Sequence, residues 1–365
     1  MSELRYGWTT GACATASATA AYTALLTGEF PDPVEIVLPK GHRPSFALAR
    51  ERLDDGSATA GVVKDAGDDP DVTHGALVSV TVRTASPGDG VVFRAGPGVG
   101  TITKPGLPLP VGEPAINPVP RRLIGEAVAR VAAEHGGSGD VVVEVSVDDG
   151  EELARHTWNP RLGILGGLSI LGTTGVVVPY SCSAWIDSIR RGVDVARAEG
   201  LTHVAGCTGS TSERVVTQLY GLHDEALLDM GDFAGAVLKY LRRHPVPRLT
   251  IAGGIGKISK LANGHMDLHS KRSQVDFAVL ARIVADAGGD ADLVAAIRGA
   301  NTALDALQRC QAADLPLGDL IADQAREVCV ETLRGAPVAV DVVVIDRAGV
   351  IVGRAGETRE SSGSL

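Results

Sequence analysis

An apolar run beginning near residue 203 ends in Gly206-Cys207-Thr208-Gly209-Ser210-Thr211-Ser212-Glu213 and passes into a helical pattern. Ser210 and Glu213 have the spacing of a capping box, in which a hydroxyl and a carboxylate satisfy the open N–H groups of a helix start. The next apolar run ends at Asp229, with Asp232 just beyond. A glycine turn at one strand end and an acid at the next is the arrangement that holds an adenosine ribose. The expected ligand contacts there are Gly206, Thr208, Gly209, Ser210, Glu213, Asp229 and Asp232, and an ordinary strand-to-helix loop is the plain alternative. Two other glycine clusters fail their usual tests. Gly96-Pro97-Gly98-Val99-Gly100 is followed by Thr-Ile-Thr-Lys-Pro-Gly, which cannot be the helix that a methyltransferase G-x-G-x-G loop must open. Gly254-Ile255-Gly256-Lys257 lacks the earlier glycine of a P-loop, and residue 258 is Ile where Ser or Thr is required.

Lys64-Asp65-Ala66-Gly67-Asp68-Asp69-Pro70-Asp71 packs four carboxylates into seven residues. The EF-hand pattern is not met. Asx-turn bonding can explain such a cluster, and crowding can also raise one carboxylate into the range of a general base. Thr9-Thr10-Gly11 opens an alanine-rich helix, either as a simple N-cap or as a terminus suited to an anion. Between Arg242 and Gln274 there are seven Lys/Arg residues against one acid, Asp267, a local reversal that suits an anionic ligand. His265, Asp267 and His269 are too loosely placed in a Gly/Asn loop to predict a metal site.

The elements that must position these residues follow from periodicity. Ala12–Leu26 and Arg121–His135 read as helices, and Val34–Leu38, Ala76–Arg83 and Asp140–Val147 as strands. Residues 96–120 have no period and read as a functional loop. Strands at Val176–Val178, His203–Ala205, Ala226–Leu228 and Arg248–Ala252 alternate with helices at Ala184–Glu199, Ser212–Tyr220 and Phe233–Arg243. Helices fill most of 275–333, and Val338–Ile345 with Val350–Val352 form a final strand pair. The expected architecture is an α+β domain over 1–158, an α/β doubly wound, Rossmann-like domain over 159–353, and a flexible tail over 354–365.

Composition limits the partners. A net charge of −10 argues against general nucleic-acid binding. Five cysteines without a C-x-x-C pair argue against a disulfide framework and point to a reducing, cytoplasmic setting. Met1-Ser2-Glu3-Leu4-Arg5 does not have a signal-peptide pattern. Residues 162–186 carry no charge, but six glycines or prolines interrupt them, so no membrane span is expected. A homo-oligomer is compatible with the sequence, which does not fix the oligomeric state.

Arg5-Tyr6-Gly7-Trp8-Thr9-Thr10-Gly11, the 64–73 turn, Gly98-Val99-Gly100, Val111-Gly112-Glu113-Pro114-Ala115-Ile116-Asn117-Pro118, Asn159-Pro160-Arg161-Leu162-Gly163-Ile164, the 166–175 segment, Met230-Gly231-Asp232-Phe233 and the 256–270 segment occur in one order along the chain. Together they resemble the cobalt-precorrin-5B C(1)-methyltransferase family of anaerobic cobalamin biosynthesis. The resemblance implies S-adenosylmethionine as methyl donor, a polycarboxylated cobalt tetrapyrrole as acceptor, cobalt present only within that substrate, and a fold unlike common methyltransferases. It implies in-line attack by a ring carbon, with Asp65, Asp68 or His269 available for a proton. Lys104, Arg121, Arg161, Lys257 and Lys271 are the expected partners of ring carboxylates, with Thr9, Thr10, Lys64, Asn117, Thr173 and Thr174 completing the acceptor contacts. Trp8 stands where the family more often has Tyr or Phe, and Asp267-Leu268 where many members have Asn-Thr. An ATP-dependent phosphoryl-transfer enzyme and a non-catalytic corrinoid carrier are the competing readings; the first lacks its phosphate loop, and the adenosine-like turn speaks against the second.

Overall fold

The structure, a computed structural model, describes residues 4–356, and the chain divides into two units, Met1–Cys182 and Ser183–Leu365. Both mix helices and sheets. The first unit opens with β1 (Gly7–Trp8) and α1 (Thr10–Thr27). Thr9 caps α1, its Oγ1 accepting from Ala12 N at 3.2 Å, and left-handed Gly28 ends it. Such a cap contributes about 1 kcal/mol. Alanine lets α1 be buried on almost every side. Within the helix its threonines tolerate burial because their hydroxyls donate to carbonyls four residues back, Thr15 to Gly11 and Thr19 to Thr15, both at 2.8 Å.

β2 (Val34–Glu35) and β3 (Ser45–Phe46) pair with each other. β4 (Arg50–Asp54), β5 (Ser57–Val63), β6 (Leu77–Thr84) and β7 (Val91–Ala95) follow. Next come β8 (Gly98–Val99), β9 (Thr101–Ile102), α2 (Pro118–His135) and β10 (Val141–Val147). The main sheet has the order β4-β5-β6-β10-β7, antiparallel except where β10 meets β7. Register sets Val78, Val80 and Val82 opposite Val147, Val145 and Val143, all six buried. α1 packs on this sheet, and Ser17 Oγ donates to Val78 O at 2.9 Å. α3 (Gly150–Ala154), β11 (Ile164–Leu165), β12 (Gly167–Leu168) and β13 (Val176–Val177) complete the unit.

The second unit begins with α4 (Cys182–Ala198), β14 (His203–Cys207), α5 (Ser210–Tyr220), β15 (Leu227–Leu228) and α6 (Ala234–Leu241). β16 (Arg248–Gly254) runs into α7 (Ile255–Ala262). The helical run is α8 (Phe277–Asp286), α9 (Ala291–Arg298), α10 (Ala303–Ala312) and α11 (Leu317–Leu333). β17 (Ala339–Ile345) and β18 (Ile351–Ala355) finish a sheet ordered β15-β14-β16-β17-β18. The first four strands are parallel and β18 is antiparallel to β17. Val204, Leu249, Ile251, Val342 and Val344 belong to a large core shared with α4, α6, α7, α8, α10 and α11. Ala205, Cys207, Ala252 and Val343 pack with Val215 and Val216 of α5 in a separate, smaller cluster.

Several expectations are corrected by these pairings. β11 and β12 pair with β9 and β8, and β13 pairs with β1, so residues 159–182 fold with the first unit rather than starting the second at 159. Residues 98–102 of the 96–120 segment are tied down by the same pairs, and 112–117 by backbone bonds such as Ala115 N to Gly100 O and Asn117 N to Ile170 O. Arg354 and Ala355 are in β18 rather than in a frayed tail, and 357–365 lie outside the described residues. β4, β5 and β7 were not legible: β4 is a charged edge strand, and β5 is built of Ser, Thr, Ala and Gly.

At the start of the β14–β16–β17 ladder, His203 Nε2 lies 2.8 Å from Thr250 Oγ1 and edge-on to Tyr220, which Arg248 covers at 5.2 Å. Arg248 Nε donates to Asp341, 2% exposed, at 2.6 Å. Burial, with Arg248 adding to it and Asp341 opposing, pushes His203 down to about 4 from the ordinary 6.5. The folded value is below the unfolded one, so the unfolded chain takes the proton first. Stability should therefore be full above about pH 6.5 and fall as pH drops toward about 4. Thermal melts across that window should show this slope, and His203→Gln should flatten it; an unchanged slope would refute the assignment.

Candidate functional site

Three parallel strands of the second unit end side by side, and the loops leaving them form one cluster. Thr208 N donates to Ala252 O at 2.9 Å, and Gly231 N to Cys207 O at 3.0 Å, locking the loop after β14 to those after β16 and β15. Gly209 and Gly254 are the N-caps of α5 and α7, with no side-chain cap at either, and the space beside each is open. Backbone N–H groups of both helix starts are thus available to a ligand. The Ser210–Glu213 capping box is not formed: Ser210 is already inside α5, and Ser212 Oγ donates to Gly209 O at 2.7 Å.

Asp232 Oδ1 is buried and receives no hydrogen bond. The Lys257 ammonium lies 3.0 Å from it, but outside hydrogen-bond geometry, and Lys257 donates to Thr208 O at 3.0 Å. The ion pair is therefore electrostatic, with an acceptor position on Asp232 left for something else. Asp229 lies at the end of β15, its carbonyl accepting from Trp185 Nε1 at 2.7 Å. Gly206 is buried against Met230, whose Sδ would be 3.0 Å from an added Cβ. The residues expected around an adenosine thus lie on the neighbouring loops after β14 and β15, except that Gly206 is buried beneath Met230 and that Ser210 and Glu213 are on the first turn of α5.

Leu268 N donates to Asp232 O at 2.8 Å, which brings the 265–272 loop to the same locus. His269 is exposed; its Nδ1 accepts from Lys271 N at 3.2 Å, which leaves Nε2 as its protonated nitrogen when neutral. Asp267 is engaged by His269 N at 3.1 Å and Arg272 Nη1 at 2.5 Å. Lys271 is exposed beside a shallow depression of about 510 Å³ that His265 and Arg272 also line. Among the described residues, no group of three His, Cys, Asp or Glu is arranged to hold a metal ion.

The expected acceptor contacts of the first unit behave differently. Thr9 and Thr10 are buried, and the helix start is closed by Gly11 N and Thr10 Oγ1, which donate to Leu171 O at 2.9 and 3.2 Å. Asn117 occupies the N-cap position of α2 without a side-chain cap bond and donates its N–H to Ile170 O at 2.9 Å; Thr174 bonds to Val176 while Thr173 is exposed. Arg121 donates to Ile116 O, Glu113 and Pro114 O and lies over Phe93, so it fixes the loop before α2. Arg161 covers Trp158, and the Lys104 stem packs against Gly163.

In the acidic turn each carboxylate has a structural partner. Arg5 binds Asp65 with its guanidinium and Asp68 Oδ2 with its backbone N at 2.7 Å. Asp69 accepts from Tyr180 N at 2.7 Å. Lys64, 1% exposed, pairs with Asp71 at 2.6 Å. Arg5, helped by Gly67 N–H, holds the Asp65 carboxyl at about 2, so it has little affinity for a proton near neutrality. Burial alone would raise Asp71, but Lys64 and Thr73 outweigh it and hold it low.

The sequence matches the model of the CbiD family over residues 1–179 and that of the CbiD C-terminal domain over 267–356. The chain belongs to the CbiD family. The cobalt-precorrin-5B C(1)-methyltransferase of Paramagnetospirillum magneticum is 63% identical over 96% of this chain and 98% of its own. That of Brucella anthropi is 62% identical over 96% of each. The crystal structure of a cobalamin biosynthesis protein, CbiD, from Archaeoglobus fulgidus is 28% identical, covering 69% of this chain and 77% of that one, with a TM-score of 0.40.

Sequence reasoning about this CbiD-family chain missed Arg5 as organiser of the acidic turn and Trp185 beside Asp229. A lone Arg near the start carries no spacing signal, and Trp185 is hidden inside a helical pattern. Because Lys64 is buried on a partly exposed carboxylate, Lys64→Ala should cost about 3 kcal/mol, the low end for breaking a buried pair. The double variant Lys64→Met/Asp71→Leu should recover much of it in urea denaturation. Normal stability of Lys64→Ala with weakened acceptor binding would instead make Lys64 a ligand residue.

Proposed function

We propose that this chain transfers a methyl group from S-adenosylmethionine to carbon 1 of cobalt-precorrin-5B, giving cobalt-precorrin-6A, in corrin-ring assembly. The observation that carries the reaction is that relatives 60–63% identical over 96% of the chain bear that enzyme's name. The donor is our inference from the methyl transfer and from the strand-end cluster. We read the second unit as a doubly wound, Rossmann-like sheet, because four parallel strands have helices against both faces and the cluster lies at their carboxyl ends. We read the first unit as an α+β domain. Among the described residues no helix is long and apolar enough to cross a membrane, and we propose a cytoplasmic enzyme acting on a free tetrapyrrole.

The residues at the cluster fit the donor. Asp229 and Asp232 would accept hydrogen bonds from the ribose hydroxyls, with the Lys257 ammonium 3.0 Å from Asp232 beside the open acceptor position on Oδ1. The N–H groups after Gly209 and Gly254 would meet the donor's polar end. When bound, the sulfonium supplies an electrophilic methyl to an electron-rich ring carbon, so the protein acts by alignment and exclusion of water. Lys271 stands where a ring carboxylate can be met. For a proton, His269 is favoured over Asp65 and Asp68, since it is exposed one residue from the strand-end cluster and both aspartates are occupied by Arg5. A non-catalytic carrier would have no use for the ribose-type acids.

S-adenosylhomocysteine should bind and raise the melting temperature. Asp232→Asn should weaken that binding by about 1.5–3 kcal/mol through loss of a charged hydrogen-bond acceptor, with the fold intact. Incubation with both substrates should add one methyl group to the corrinoid by mass. A shift with ATP but none with S-adenosylhomocysteine would overturn the reading. His269→Gln should lower kcat while leaving donor affinity unchanged; unaltered kcat would return the proton to solvent.

A further inference from the structure

Trp185 is 44% exposed, an unusual state for the largest apolar side chain in a protein with three tryptophans. Its exposure is not looseness. The indole N–H is fixed to Asp229 O at 2.7 Å, and the benzo edge rests on Gly231, where an added Cβ would be 3.1 Å from Cζ2. Gly231 has φ +54, a conformation that would strain any other residue here and that brings bare backbone beneath the ring. Phe233 supports it from one side, with ring centroids 6.1 Å apart. Three contacts therefore immobilise one edge of a flat aromatic surface and leave much of the rest open to solvent. All three anchoring residues, Asp229, Gly231 and Phe233, lie in the 229–233 segment that also carries Asp232.

We propose that Trp185 is the platform on which the adenine ring of the methyl donor stacks. The inference rests on the donor reading above and adds the residue that recognises the base. The chemistry matches: a purine offers a π-face to an indole already held in place, so little ordering entropy is lost on binding. The carboxylates beside it take the ribose, and one loop, 229–233, sets both. Trp185 is thus a binding residue, and its indole N–H serves only to hold the ring at its angle.

The experiment is a calorimetric titration of S-adenosylhomocysteine and of free adenosine into the full chain and its Trp185→Leu and Trp185→Phe variants. Trp185→Leu should weaken both ligands about tenfold, which equals about 1.4 kcal/mol, within the range for loss of a base–aromatic stack. Trp185→Phe keeps a π-face without the N–H and should stay within about threefold of the parent. With Trp8→Phe and Trp158→Phe in place, S-adenosylhomocysteine should also quench the remaining Trp185 emission, a readout independent of turnover. Equal binding by all three proteins overturns the proposal and leaves the donor site standing. Equal weakening in Leu and Phe variants also overturns it, since the N–H anchor would then be what matters. No binding by the parent protein overturns the donor reading itself.

Discussion

In-register pairing of valine-rich strands is the interaction on which both units depend, and the reason is compositional. Aromatics make up only 4% of the chain, so few bulky rings are present to fill a core that drifts out of alignment. A one-residue slip of β6 against β10 would turn Val78, Val80 and Val82 to the opposite face. α1 could then find no matching surface, because its alanines fit only a closely approaching sheet. In the second unit, His203, Arg248 and Ala339 begin the ladder at one level. Equal starts give adjacent ends, and the loops carrying Thr208, Asp232 and Lys257 meet because of it.

The periodic parts of this architecture are legible in the sequence. Alternating valines give β6 and β10, and the spacing of apolar residues gives α2, α5 and α6 close to their true limits. What escapes is whatever depends on pairing at a distance. β13 has the composition of a βα strand, yet its partner is β1. The two-residue strands at 98–102 and 164–168 carry no periodicity and exist only because each supplies the other's hydrogen bonds. The site divides in the same way. The placement of the 206–213 turn and of Asp229 and Asp232 at neighbouring strand ends can be read from the sequence, since strand ends fix where those residues go. Lys257 looks like an acceptor contact from charge alone, and its nearness to Asp232 is not visible in the sequence.

Charge placement separates two kinds of acid that composition cannot tell apart. The aspartates at 65–71 are consumed within the fold, by Arg5, Lys64 and the Tyr180 amide. Asp232 has a cation nearby but keeps a buried oxygen without a hydrogen bond. Such an oxygen carries a desolvation cost that a ligand hydroxyl would relieve. A crowded acidic motif can therefore be structural, while a solitary acid with an incomplete partner set is the better mark of function.

The order of strands in the second sheet has a consequence for how the protein is made. β16 emerges from the ribosome with one edge paired to β14, while its other partner, β17, arrives only after the helical run α7–α11. Throughout that interval a hydrophobic strand edge is open to whatever chain is near. The antiparallel β18, the last strand among the described residues, then covers β17. Yield of soluble protein should accordingly be governed by how quickly the final strands follow the helices.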